Sequence, residues 1–208
     1  MIMNEDAYLG SMTYQSLYAG VLDKLEPRSE AAVQQLRIAL RHADDRSPSF
    51  LLDLTKHILA KSQLNVNLQE SFLRLQATAP TDDLQLSNPH PAYQELSLRA
   101  VALRKVLSRV PDEMGDRRTF LETIKEIASS IKKLLDATNT ILQTVPSNAQ
   151  PAVEKRKREF VHYSKRFSNT LKEYFKDQNA NHVAVSANQL IFQTSFIVKT
   201  VREKTRNL

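Results

Sequence analysis

TFLETIKEIASSIKKLLDATNTIL, residues 119–142, carries two apolar stripes where one would serve. It contains neither Gly nor Pro, and its large apolar side chains return every three or four residues, which predicts a helix. Phe120, Ile124, Ile127, Ile131, Leu134, Thr138 and Ile141 follow coiled-coil spacing and make the face that a bundle core takes. Beside them Leu121, Ala128, Leu135 and Leu142 recur every seven residues, with Ile131 bridging the stripes and Lys125 and Lys132 on the margin. That apolar face is too wide for a single bundle contact.

The next long pattern, FVHYSKRFSNTLKEYFKD at 160–177, has the same double character. Phe160, Phe167 and Tyr174 recur every seven positions and suit a core. Next to them runs a row of Ser164, Ser168, Leu171 and Phe175, edged by Lys165, Lys172 and Lys176. If the two helices lie side by side, the second stripe and the serine row form a shallow groove with lysines on both banks. An acidic amphipathic helix would suit it, with leucines on the floor and carboxylates against the ammonium rims. The plainer alternative is bundle interior with snorkelling lysines.

Outward from these two, helices are expected at about 93–108, 112–144, 148–177 and 182–205, separated by Pro111, VPSNAQP and KDQNANH. Four antiparallel helices joined by short turns make a bundle. Upstream, ATAPTDDLQLSNPHPAYQ (77–94) holds three prolines among polar turn formers and reads as a linker. Before it come four short helical patterns at about 13–25, 30–44, 48–61 and 68–76. Their expected caps are Ser29, Ser47 with Pro48 in the first turn, and Asn67 with Glu70. The organisation is therefore all-α: a small N-terminal helical domain (1–76), a linker (77–92) and a C-terminal four-helix bundle (93–208). The small domain has no cysteine or metal cluster to staple it, yet shows surplus apolar positions: Leu36, Ile38, Ala39 and Leu40, then Leu51, Leu52, Leu54, Ile58 and Leu59. Dimerisation through these helices is the expectation.

Composition agrees. Three glycines in 208 residues disfavour a fold of tight hairpins, against an average usage of roughly 7%. Without cysteine there is neither a disulfide framework nor a thiolate metal site, and no apolar run approaches the roughly 20 residues of a membrane span. The start, MIMNEDAYLGSM, carries acids where a secretory signal is basic, so a cytosolic protein is expected. Residues 1–92 hold 8 Lys and Arg against 11 Asp and Glu, and residues 93–208 hold 21 against 12, so the halves carry net −3 and +9. The second half calls for an acidic partner.

SRVPDEMGDRRTFLETIKEIASSIKKLLDATN, EFVHYSKRFSNTLKEYFKD, VSANQLIFQT and AKSQLNVNLQESFLRLQA closely resemble the programmed cell death protein 10 (cerebral cavernous malformation protein three) family. The resemblance spans from about Leu17 to near the end of the chain. It implies a non-catalytic adaptor with an N-terminal dimerisation domain, a hinge, and a bundle similar to the focal adhesion targeting domain. The implied partners of the first domain are a second copy or germinal centre kinases of class III. Those of the second are leucine–aspartate (LD-like) helices of paxillin, a companion cavernous malformation scaffold and striatin, within the striatin-interacting phosphatase and kinase assembly. Dimer contacts carried over by position fall at Leu36, Ala39, Ile58 and Leu59, beside Leu40 of the same surplus. The peptide groove falls at Lys125, Ala128, Ile131, Lys132, Leu135, Ser164, Lys165, Ser168 and Lys172, with Leu171 from the serine row. Cell migration, Golgi organisation, apoptosis and vessel or tube integrity are the implied outcomes, with peripheral association to Golgi and plasma membrane. The first helix, residues 26–52, the linker and VPSNAQP depart from the family pattern.

Catalysis finds no support in the residue types. His42, His57, His90, His162 and His182 are scattered without ligand spacing, and there is no phosphate loop or cysteine nucleophile, so neither cofactor nor metal is expected. The cluster KRKR, Lys155, Arg156, Lys157 and Arg158, has no nucleic-acid-reading fold around it. Anionic lipid is its better alternative partner, since basic clusters on a helix attach to phosphoinositide surfaces.

Overall fold

A computed structural model gives the fold and describes residues 5–47 and 49–205. It is built of helices, in two compact units, Met1–Pro80 and Thr81–Leu208.

In the first unit, α1 (Glu5–Thr13) runs through a π-helical turn, Tyr14–Ala19, into α2 (Gly20–Leu25). The helical run thus begins well before the expected residue 13. A Cβ on Gly10 would lie 2.7 Å from Ser49 Oγ, so glycine is what lets α1 approach the start of α4. Two further helices, α3 (Glu30–Arg46) and α4 (Phe50–Ser62), form a hairpin, and α5 (Leu68–Leu75) completes the unit. Tyr8, Leu9, Leu22, Leu51, Leu52, Phe72 and Leu73 are its buried centre. Tyr8 donates to Gln69 Oε1 (2.9 Å), and Gln76 donates to Ser16 Oγ (2.5 Å).

The caps differ in kind from their expectation. Asn67 Oδ1 accepts from the N–H of Glu70 (3.2 Å), as its spacing predicts, whereas Ser29 makes no side-chain cap. Pro48 of the expected Ser47–Pro48 start lies outside the described residues. The helix instead begins after Ser49, which has a left-handed φ of 76°, and Asp44 Oδ1 accepts the N–H of Leu51 (3.2 Å). A carboxylate from the preceding helix does the capping.

The second unit holds α6 (Pro91–Ser108), the short α7 (Val110–Glu113), α8 (Arg117–Thr144), α9 (Gln150–Asp177) and α10 (Ala180–Lys204). The single helix expected over 112–144 is broken, because Asp116 Oδ1 takes the N–H of Thr119 (2.7 Å) and starts a new helix there. The helices α8 and α9 pack along α6 and α10 respectively, and α6 packs against α10, while α8 and α9 meet over a much shorter stretch. From Val183 to Thr194 every residue of α10 is buried.

Much of the segment expected to be a linker belongs to this unit. Leu84 and Leu86 are buried, and the Leu86 N–H donates to Ser97 Oγ (3.0 Å). Arg202 donates to the carbonyls of Asp82 (3.1 Å), Asp83 (2.7 Å) and Gln85 (2.7 Å), and the fully buried Arg104 pairs with Asp83 (3.0 Å). Burial pushes the Asp83 carboxyl up, against the pull of Arg104. Polar composition predicted a loop, but two alternate leucines and two arginines turn that loop into a strap.

Candidate functional site

The short contact between α8 and α9 leaves a seam on the surface of the bundle. Along α8 the residues facing it are Leu121, Ile124, Ala128, Ile131 and Leu135, spaced alternately three and four apart, as one helix face requires. Along α9 the matching row is Val161, Ser164, Ser168, Leu171 and Phe175. Ala128 and Ser168 are exposed, and Ile131, Leu135 and Ser164 are half-buried. Leu121 is 41% and Phe175 38% exposed, which is unusual for large apolar side chains within a bundle. Leu171 corrects its expectation: at 7% exposure it belongs to the core, because its position on the helix lies beside the Phe160, Phe167 and Tyr174 stripe.

The serines leave the floor shallow without leaving it hungry for hydrogen bonds. Ser164 Oγ donates to the carbonyl of Val161 (2.9 Å) and Ser168 Oγ to that of Ser164 (3.0 Å), so each hydroxyl is satisfied by its own helix. Lys125 and Lys132 on one bank, and Lys165 and Lys172 on the other, are exposed, and none forms an ion pair with a carboxylate among the described residues. Two acids on the α8 bank are already engaged: Glu126 with Arg109 (2.7 Å) and Glu122 with Arg118 (3.7 Å). The seam is a strip of apolar and small side chains between two rows of free ammonium groups.

One end of the seam is closed by α7 and the turn after it. Glu113 binds Arg109 (2.8 Å) and the Thr123 hydroxyl, tying α7 to α8. Partial burial pushes its carboxyl up, but these hydrogen bonds outweigh burial and hold it below the usual carboxylate range. Leu121 and Phe175 belong to the expected stripe and serine row, whereas Ile124, expected on the core stripe, is half-buried and extends the same three-and-four spacing.

In the first unit, α3 buries little beyond Val33. Leu36 (45%), Ile38 (69%) and Ile58 (54%) are strongly exposed, Ala39 is exposed, and Leu40 and Leu59 are half-buried. The KRKR cluster is less available than its sequence suggests, because successive helical residues point about 100° apart. Arg156 pairs with Glu159 (2.7 Å) and lies over the Phe196 ring (4.5 Å), and Lys157 pairs with Glu154 (3.3 Å). Lys155 and Arg158 stay exposed. Among the described residues no group of His, Cys, Asp and Glu could hold a metal ion, and no helix is long and apolar enough to cross a membrane.

Residues 6–65 match the family model described as programmed cell death protein 10, dimerisation domain, and residues 66–173 match that described as programmed cell death protein 10, C-terminal. The curated programmed cell death protein 10 homolog of Caenorhabditis elegans is 61% identical over 213 residues, covering 98% of this chain and 99% of that protein. The exposed apolar set on α3 and α4 falls within the first match, and the lysine-banked seam, all but Phe175, within the second.

Proposed function

The chain belongs to the programmed cell death protein 10 family, and from that premise we propose that it is a non-catalytic adaptor whose two units hold different partners. The first unit dimerises, with a second copy or with a germinal centre kinase of class III, through Leu36, Ala39, Leu40, Ile58 and Leu59. The second takes an LD-like helix, of the kind carried by paxillin, striatin or the companion cavernous malformation scaffold, in the seam between α8 and α9. By joining a kinase to such a helix it acts in cell migration, Golgi organisation, apoptosis and vessel or tube integrity. The observation that carries this reading is the pair of unpaired lysine rows on either side of an apolar floor.

A helix laid in the seam would place leucines at i, i+3, i+4 and i+7 over Ala128, Ile131 and Leu135, and carboxylates beside the lysines. Small Ser164 and Ser168 allow close approach. The charges set orientation and association rate more than affinity, so binding should be micromolar, about −8 kcal/mol. Reversing Lys125, Lys132, Lys165 and Lys172 to Glu should weaken a paxillin-type LD peptide at least tenfold, about 1.4 kcal/mol, with helicity and thermal midpoint unchanged. A titration of the charge-reversed protein that overlays that of the wild type would remove the groove.

A further inference from the structure

The closed end of the seam holds a feature that four lysines and a shallow floor do not require. A hollow of about 250 Å³ opens there, lined by Met114 and Gly115 of the turn, Arg117 and Phe120 of α8, and Tyr174 and Phe175 of α9. The rings form one cluster. Phe120 meets Tyr174 edge-on at 5.5 Å and 85°, and meets Phe175 at 5.8 Å and 39°. The hollow continues both groove rows, since Arg117 stands four residues before Leu121 on α8, and Phe175 is itself the last member of the row on α9.

We infer that this hollow is an anchor pocket of the same groove: it takes one aromatic side chain from the last turn of an acidic amphipathic helix, and so fixes the direction in which that helix lies. The inference rests on the reading of the seam as a helix-docking site. Size argues for a side chain, because small-molecule sites run from about 300 to 1,000 Å³. Chemistry argues for an aromatic one, because a further ring can meet the exposed Phe175 ring edge-to-face and a methionine lines the wall, while Arg117 and Gln178 keep the mouth polar. A Cβ built on Gly115, which lines the hollow, meets no heavy atom within 4 Å, so a larger side chain fits there without a clash.

Charge gives the direction. Arg117 is exposed and forms no ion pair among the described residues. Nearby Asp116 and Asp177 are occupied with the N–H groups of Thr119 (2.7 Å) and Asn179 (2.9 Å). The carboxyl end of a helix carries partial negative charge from its unpaired carbonyls, and an unpaired guanidinium favours that end. The docked helix therefore runs antiparallel to α8 and parallel to α9.

The test uses the full chain and three designed peptides of about 16 residues, alike in their leucines and acidic residues. One carries Phe in its last turn, one Phe in its first turn, and one Ala at both places; affinities are read by calorimetry. The last-turn Phe peptide should bind the wild-type protein about tenfold more tightly than the Ala peptide, the range of a modest aromatic anchor, and the first-turn Phe peptide should show no gain. Gly115→Leu, which fills the hollow, should erase the gain and leave the Ala peptide's affinity unchanged. Three equal affinities, all lost on reversing the four lysines, would overturn the pocket and leave the groove standing. A gain for the first-turn peptide alone would overturn the direction. Binding indifferent to the lysine reversal would overturn the groove and the pocket together. The wild-type comparison needs no variant, so a misfolded Gly115→Leu protein does not rescue the idea.

Discussion

Asp116 shows how much one side chain decides. Apolar spacing alone runs a single helix from 112 to 144, and at the level of periodicity that expectation is sound. A short carboxylate three residues ahead of Thr119 offers the backbone a cap, and the chain takes it, turning at Gly115 and setting the closed end of the seam. The cue was present as Gly-Asp followed by Thr, but caps compete with periodicity only weakly in sequence. The Thr119 hydroxyl and N–H hold the Asp116 carboxyl below its ordinary range. A depressed carboxyl contributes stability above its unfolded-state pKa of about 3.9 and loses it as pH falls through the folded-state value. Asp116→Ala should therefore lower the thermal midpoint by a few degrees at pH 7, and the gap from wild type should close as pH falls below about 4. A gap that stays constant down to pH 2 would show that Asp116 acts without its charge.

At the scale of an element, α9 sorts its cations by angle. The four cations of KRKR share a segment but not a direction, since consecutive helical residues point about 100° apart. Arg156 lies over the Phe196 ring of α10 and pairs with Glu159 one turn along α9. Arg156→Ala should cost about 1 kcal/mol in urea denaturation, combining a cation–π contact with a half-exposed ion pair. Neutralising Lys155 and Arg158 to Gln should leave stability within about 0.5 kcal/mol. The same pair should account for most of any salt-sensitive binding to phosphatidylserine vesicles, since exposed charges are screened over about 8 Å at physiological salt. Equal stability losses from both sets would contradict this division. The groove rows were legible because serine, leucine and lysine repeat at helical spacing, whereas the inward turn of Leu171 depended on how closely α9 leans on its neighbours.

Across the whole molecule, the sequence signal was strongest where apolar residues exceed what a small unit can bury. Leu36, Ile38 and Ile58 stand out in the structure as they do in the pattern. Replacing Leu36, Ala39, Ile58 and Leu59 with Asp would set unpaired carboxylates in an apolar contact, at several kcal/mol each. Light scattering should then report a monomer, and kinase capture should fail. A variant that stays dimeric and still binds kinase would move the interface elsewhere. The strap at 81–86 was hidden because prolines and polar residues mask two leucines whose anchoring arginines lie on α6 and α10, remote in sequence. The burial of α10 has a consequence for synthesis. This helix is translated after the other three of its bundle, yet α6 and α9 both pack against it. During elongation, the faces of α6 and α9 that pack on α10 therefore stay uncovered until the fourth helix arrives. A chain stopped anywhere before Ala180 never receives it, so a late stop codon strips α6 and α9 of their shared partner while leaving most of the sequence in place.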